Sequence, residues 1–467
     1  MTVVDVAPKT RQELYDQIRE SSLEEVIFQE MVRYGFWPED QPFPEDPEEE
    51  VTRKAELNKE LSEIRAKFAR LHDIEALVRA ARKKRMEESK VRQKETKERR
   101  LKERQDKAKA WQKRKTKEIN YLGEGVSGSL SQYEAETKRL KKQGLPNFKD
   151  AAALAKAMDI TVNELRFLAF SRKTSPVHHY NRFYIAKKSG GQRLISAPMG
   201  RLKKAQNWIL ENILNKVELH DAAHGFVPER SIVTNAEPHV GADIVVNVDL
   251  QNFFPTLTYR RVWGCFKALG YSPALSSIFS LLCTESEVQE VEIDGRTWFI
   301  RQGERFLPQG APSSPALTNI ICRRTDKRVT GLAEKLGFTY TRYADDMTFS
   351  AEKGAKPGNL LNALRSILHQ EGFTIHPDKT RIFHKGRRQE VTGIVVNEKL
   401  NINRKTLKRF RATLFQIEKD GPEGKEWGNG GDLLDAIHGY ANFVNMVNPE
   451  KGAPLVERVN DIIRQYR

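Results

Sequence analysis

Three aspartates set the chemistry this chain is built for. Asp249 closes an alternating β-branched stretch, Ile244 to Val248, and loop-forming residues follow it in VDLQNFFP. A carboxylate at the exit of a buried strand is well placed to face a cleft, although a helix N-cap is an equally natural use of an aspartate there. Asp345 and Asp346 sit side by side in FTYTRYADDMTFSA, which reads as strand, tight turn and strand with Tyr343-Ala344-Asp345-Asp346 at the apex. Adjacent acids repel, so a stable fold that keeps them calls for a compensating cation. Mg²⁺ prefers hard oxygen ligands and keeps positions open for phosphate oxygens and water. One carboxylate from the first strand and two from the hairpin would hold two Mg²⁺ ions, or Mn²⁺ as a substitute, about 4 Å apart, an arrangement that activates an attacking hydroxyl and stabilises a leaving pyrophosphate.

The elements around these acids fit that chemistry. FYIAKKSGGQRLISAP reads as a β-hairpin turning at Ser189-Gly190-Gly191. Its Lys187, Lys188 and Arg193 would project over the acidic site, where a triphosphate needs cations. Leu307-Pro308-Gln309-Gly310 leads into a helix that Pro315 is placed to start, and Gly310 permits close backbone approach. Lys379 is either a general acid for departing pyrophosphate or an ordinary surface lysine.

Charge and composition point to a polyanionic partner. The 467 residues carry 79 Lys and Arg against 63 Asp and Glu, a net +16, and the pI is about 9.5. Such a surplus favours nucleic acid first and an anionic membrane surface second. No apolar run approaches the roughly 18–20 residues that span a bilayer, so no membrane partner is expected. Cys265, Cys283 and Cys322 are widely spaced, which suits a reducing cytoplasm and forms neither a disulfide framework nor a zinc knuckle.

The surplus is concentrated. Residues 82–118 hold 18 Lys and Arg against 7 Asp and Glu; the stretch lacks Pro and Gly and should be helical. It is either a solvated helix or an RNA-binding arm. Before it, Leu57, Leu61, Ile64, Phe68, Leu71 and Val78 form a heptad-like seam, and residues 11–36 suggest one amphipathic helix ended by an acidic, Pro-rich stretch. The expected organisation is a helical N-terminal extension over 1–122, a linker over 123–146, a mixed domain over 147–397 and a helical region over 398–467. FKDAAALAKAMDITVNELRFL reads as two short helices used for packing rather than for reading DNA.

The ordered series VDLQNFF, LPQGAPSSPALTN, YADD, GFTIHPDKT and VTGIVVN resembles the palm motifs of reverse transcriptases across about residues 150–400. The resemblance implies an α+β right-hand polymerase with fingers, palm and thumb. It implies Asp249, Asp345 and Asp346, with the Leu250 backbone carbonyl, as metal ligands. It also implies Lys187, Lys188, Arg193, Phe254, Gln309 and Lys379 as dNTP-binding residues. Phe254 would be the steric gate that excludes a ribose 2′-OH, with Phe253 in the core, although Phe253 and Phe254 are both suited to packing. His376 departs from the Asn common in related enzymes.

Asn235-Ala236-Glu237-Pro238-His239 and Val391-Thr392-Gly393 resemble the paired NAxxH and VTG signatures of bacterial retron reverse transcriptases. This implies a cognate structured noncoding RNA serving as template and primer, with synthesis from an internal guanosine 2′-OH. The product would be a branched RNA–DNA hybrid (msDNA), used in anti-phage defence with a separate effector protein. Asn235, His239, Val391, Thr392 and Gly393 would then bind RNA. So would Arg404, Lys405, Lys408, Arg409 and Arg411 of the thumb, a cluster favoured by counterion release. The N-terminal extension would clamp the RNA, the hybrid or a partner protein.

Overall fold

A computed structural model describes residues 9–20, 23–38, 40–41, 57, 59–64, 67, 74–115, 117–186, 190–428 and 430–467. The chain divides into two compact units, Met1–Ala108 and Lys109–Arg467.

In the first unit, residues 11–36 form two helices, Arg11–Glu20 and Leu23–Arg33, rather than one. Thr10 and Glu13 exchange backbone and side-chain bonds at the first N-terminus, a capping box. Lys9 joins the two helices by pairing with Glu30 at 2.7 Å. In the expected seam, Phe68 and Leu71 lie outside the described residues, while Leu57 and Ile64 are exposed. Residues 82–115 of the basic stretch belong to a 42-residue helix, Ile74–Lys115, about 63 Å long at 1.5 Å per residue, whose last residues, from Lys109, count with the second unit.

The second unit is α+β. Residues 123–146 do not act as a free linker: Leu130, Leu140 and Leu145 are buried in the main core with Ile119 and Leu122. Glycine and serine made this stretch read as a spacer, but Gly123 is there because a Cβ would strike the Ser171 carbonyl. The two short helices that follow, Ala151–Ala157 and Val162–Ala169, are capped by Asp150 and Thr161 and bury Leu154, Leu165 and Leu168, as packing elements do.

The strands in order are β1 (Thr174–Ser175), β2 (Tyr180–Ala186), β3 (Gln192–Pro198), β4 (Ile244–Asp249), β5 (Glu285–Ile293), β6 (Arg296–Phe306), β7 (Thr339–Tyr343), β8 (Asp346–Ala351), β9 (Arg381–His384), β10 (Glu390–Val391) and β11 (Ile394–Val395). They form a β1-β6-β5 sheet, the β2-β3 and β10-β11 hairpins, and a central sheet in the order β7-β8-β4-β9. All pairs are antiparallel.

The central sheet is covered on both faces, which accounts for the nearly continuous apolar run of β4. Ile244, Val246 and Val248 enter the main core with Met347 and Phe349 of β8. Val245 enters a second core with Val391, Ile394 and the helices Arg404–Asp420, Leu433–Val447 and Pro449–Tyr466.

Candidate active site

Asp249 is the last residue of β4, and its direct partner across the ladder is Asp346, the first residue of β8. Side chains alternate across a strand. Because Val248 and Met347 fill the main core, Asp249 and Asp346 share the opposite face. The third acid comes from the turn. Ala344 and Asp345 join β7 to β8, and Ala344 has φ 56°. A positive φ at this position normally selects glycine, so an alanine there costs on the order of 1–2 kcal/mol and needs outside support.

That support is buried behind the turn. Arg342, 1% exposed, pairs with both carboxylate oxygens of Asp326 at 2.8 and 2.7 Å. Its Nη1 donates to the Ala344 carbonyl at 3.0 Å and to Asn319 Oδ1 at 3.1 Å. Asn319 Nδ2 in turn donates to the Gly225 carbonyl at 2.8 Å. Gly225 lies directly against the turn: a Cβ there would sit 2.6 Å from the Ala344 nitrogen. The Leu250 N–H donates to the Asp345 carbonyl at 3.1 Å, joining the two acid-bearing segments. Arg342, Asp326, Asn319 and Gly225 escaped sequence reasoning. The available signal was an arginine in the short strand that leads into the two acids, since a buried charge demands a partner.

The acids crowd one another. Burial first, and then the Asp249 charge, pushes the Asp345 carboxyl up. Burial, Asp345 and Asp249 push Asp346 up to about 6. Lys379 Nζ lies 3.0 and 3.1 Å from the two carboxylate oxygens of Asp249. Among the described residues no three His, Cys, Asp or Glu side chains are already gathered as a metal cage. Even so, three hard-oxygen donors crowded at one site, two of them with raised proton affinity, suit a divalent cation such as Mg²⁺.

A profile of the family described as "Reverse transcriptase (RNA-dependent DNA polymerase)" matches residues 185–404. The chain is 39% identical over 375 residues to the Retron Mx162 reverse transcriptase of Myxococcus xanthus, covering 76% of each. It is 38% identical over 320 residues to the Retron Mx65 reverse transcriptase of the same organism, covering 68% of this chain and 73% of that protein. The chain belongs to the retron reverse transcriptase family. With the Retron Ec86 reverse transcriptase of Escherichia coli it shares 34% identity over 334 residues, 71% of this chain and 94% of that one. It is therefore an RNA-directed DNA polymerase.

The other expected residues of this reverse transcriptase fall in several places. Phe253 is buried, packing on Phe373 with ring centroids 5.5 Å apart, and half-buried Phe254 meets it edge-on at 5.7 Å. Gln309 lies beside the β2-β3 hairpin, its carbonyl accepting from the Ser196 N–H at 2.7 Å. Gly310, at φ 114°, lies so close to this hairpin that a Cβ would come 2.9 Å from Ile195. Exposed Arg193 stands on β3, and its charge acts on Asp345. Lys187 and Lys188, like Ser189 of the expected turn, lie outside the described residues.

The two retron signatures meet. Thr392 and Gly393 form the β10-β11 turn with φ 48° and 85°, the type I′ conformation. The Thr392 hydroxyl donates to the carbonyl of Ile232 in the helix Ile232–Ala236. Asn235, His239 and Val391, expected to bind RNA, are instead wholly buried. His239 bridges Ser350 of β8 and Thr341 of β7 at 2.7 and 2.8 Å, and burial holds its imidazole at about 3, hence neutral. These three residues can act on RNA only through the surface they shape.

Arg404, Lys405, Lys408, Arg409 and Arg411 are all exposed on their helix, and Arg409 also stacks over Trp427 at 4.7 Å. No helix among the described residues is long and apolar enough to cross a membrane.

Proposed function

We propose that this enzyme copies part of one cognate structured RNA into DNA, starting from an internal guanosine 2′-OH and yielding a branched hybrid (msDNA) for anti-phage defence in the cytoplasm. The observation that carries the catalytic part is the direct opposition of Asp249 and Asp346, with Asp345 beside them on the supported turn. In this reading β4, β7, β8 and β9 are the palm, the β2-β3 hairpin belongs to the fingers, and the last three helices are the thumb.

Asp249, Asp345 and Asp346, with the Leu250 carbonyl, would hold two Mg²⁺ ions, which when bound supply Lewis-acid activation of the primer hydroxyl and charge neutralisation at the pyrophosphate. The remaining work falls to the chain itself. Lys187, Lys188 and Arg193 bind the triphosphate, and Gln309 contacts the incoming nucleotide from a position fixed by Gly310. Phe254, propped edge-on by buried Phe253, bars a ribose 2′-OH. Lys379, already held at the site by Asp249, delivers a proton to the departing pyrophosphate.

Dedication to one RNA is supported by the junction of the two signatures, which ties the Thr392 turn to the helix carrying Asn235. Arg404, Lys405, Lys408, Arg409 and Arg411 grip the A-form backbone by shape and charge, Arg409 from its place over Trp427. A separate effector protein would read out the hybrid.

Sequencing the nucleic acid that copurifies with the enzyme from its native host tests this reading. DNA joined to a guanosine 2′-OH of a single RNA species is expected. Unbranched cDNA from varied RNAs would overturn it.

A further inference from the structure

A second basic surface lies away from the carboxylates. The helices Thr137–Lys142, Tyr259–Leu269, Ser314–Lys335 and Pro357–Gln370 contribute to a groove of about 960 Å³ that no catalytic or nucleotide-contacting residue lines. Arg139 and Lys142, one helical turn apart, belong to its lining with Arg323 and Arg324 of the Ser314–Lys335 helix; Lys216 and Arg261 complete the set. The acids lining it are Glu218 and Glu371. Glu371 is already committed, binding Arg324 at 3.0 Å and Arg328 at 2.6 Å.

Arg139 is likewise paired, with Glu136 at 3.2 Å, so the positive charge without an acid partner lies on Lys142, Lys216, Arg261 and Arg323. Arg261 makes this plainest. Its guanidinium lies 4.5 Å over the Phe373 ring, partly buried, and no acid pairs with it among the described residues. Burial drives its pKa down, against the pull of the nearby Glu371 carboxylate, so the fold bears a desolvation cost that an anionic ligand would relieve. Lys142, Lys216 and Arg323 are exposed and likewise make no side-chain bond among the described residues.

We infer that this groove is a nucleic-acid site outside the catalytic cleft, holding the phosphate backbone of the RNA or hybrid that the enzyme is not copying. Several cations gathered along one concave surface, with little opposing charge, match a polyanion whose charges repeat along its length. The inference rests on the polymerase family but not on the assignment of the aspartates or on the mode of priming.

The test uses the full chain with Lys142→Gln, Lys216→Gln and Arg323→Gln combined. A control replaces Lys156, Lys335 and Lys356 by Gln, three exposed lysines outside the groove. Binding of a hairpin RNA, and of the same hairpin as DNA, is titrated against salt without dNTPs, and extension is measured on a short primer–template. The groove variant should lose about tenfold or more in hairpin affinity, with the log–log salt slope shallower by about 2–3. Equal loss with RNA and DNA identifies the backbone as the ligand; loss with RNA alone narrows it to the RNA strand. The control should behave as the wild type, and short-duplex extension should persist in both.

Affinity and slope matching the control would overturn the inference. Unchanged hairpin binding with weakened binding of polyglutamate would also overturn it, in favour of an acidic protein partner. Parallel loss of short-duplex extension would do so too, because the groove would then serve the cleft.

Discussion

Arg342 and Asp326 form an ion pair, 1% and 0% exposed, whose guanidinium also holds the carbonyl of Ala344 at the turn that presents Asp345. The pair links the Ser314–Lys335 helix to the strand leading into the acids. Breaking such a pair leaves one charge buried alone, at a cost of about 3–5 kcal/mol. Arg342→Met should therefore lower stability by that amount in urea unfolding. Adding Asp326→Leu should restore much of the stability but not the extension rate, because the Ala344 carbonyl still lacks its donor. Recovery of both together would refute a positioning role.

Gly225 should be intolerant for a purely geometric reason. Its Cβ would lie 2.6 Å from the Ala344 nitrogen, and neither partner is a flexible side chain. Gly225→Ala should cut primer extension about a hundredfold, the scale on which a misplacement near 1 Å acts, while RNA affinity stays near wild type. Wild-type extension would show that the turn position is not critical.

Lys379 touches both oxygens of Asp249. If it protonates the leaving group, Lys379→Gln should reduce the single-turnover rate by about 10² or more with little change in nucleotide affinity. A weaker affinity at an unchanged rate would make it a binding residue only.

His239 gives a pH dependence. Its folded pKa is depressed to about 3 from an ordinary value near 6.5, chiefly by burial. Below about 6.5 the unfolded chain binds a proton that the fold refuses. Stability should therefore be fully present above that pH and fall as pH drops toward 3, by up to about 1.4 kcal/mol per unit. Urea midpoints measured across pH should show His239→Gln with a flatter acid limb than the wild type. Parallel limbs would mean that another group sets the acid sensitivity.

The strands that carry the acids were legible because their signals are local: β-branched alternation marked β4, and the YADD turn marked its own hairpin. What stayed hidden depends on distant contacts. Nothing near Arg342 in sequence announces Asp326, and Gly225 looks like any loop glycine until Ala344 is set beside it. Residues 123–146 read as a linker because glycine and serine outweighed the leucines that anchor the segment. The resemblance of their motifs to the retron signatures marks Asn235, His239 and Val391 as RNA ligands, yet in the fold they are buried against the face of the central sheet that carries Asp249 and Asp346.

The central claim is that the three aspartates carry the reaction. The most direct measurement is primer extension with dNTPs and Mg²⁺ by a protein carrying Asp345→Asn and Asp346→Asn, alongside its RNA affinity. Both changes keep the side-chain shape and remove like charge from a crowded site, so the fold should hold. We predict no detectable extension and near wild-type RNA binding; DNA synthesis persisting in that protein would contradict the account.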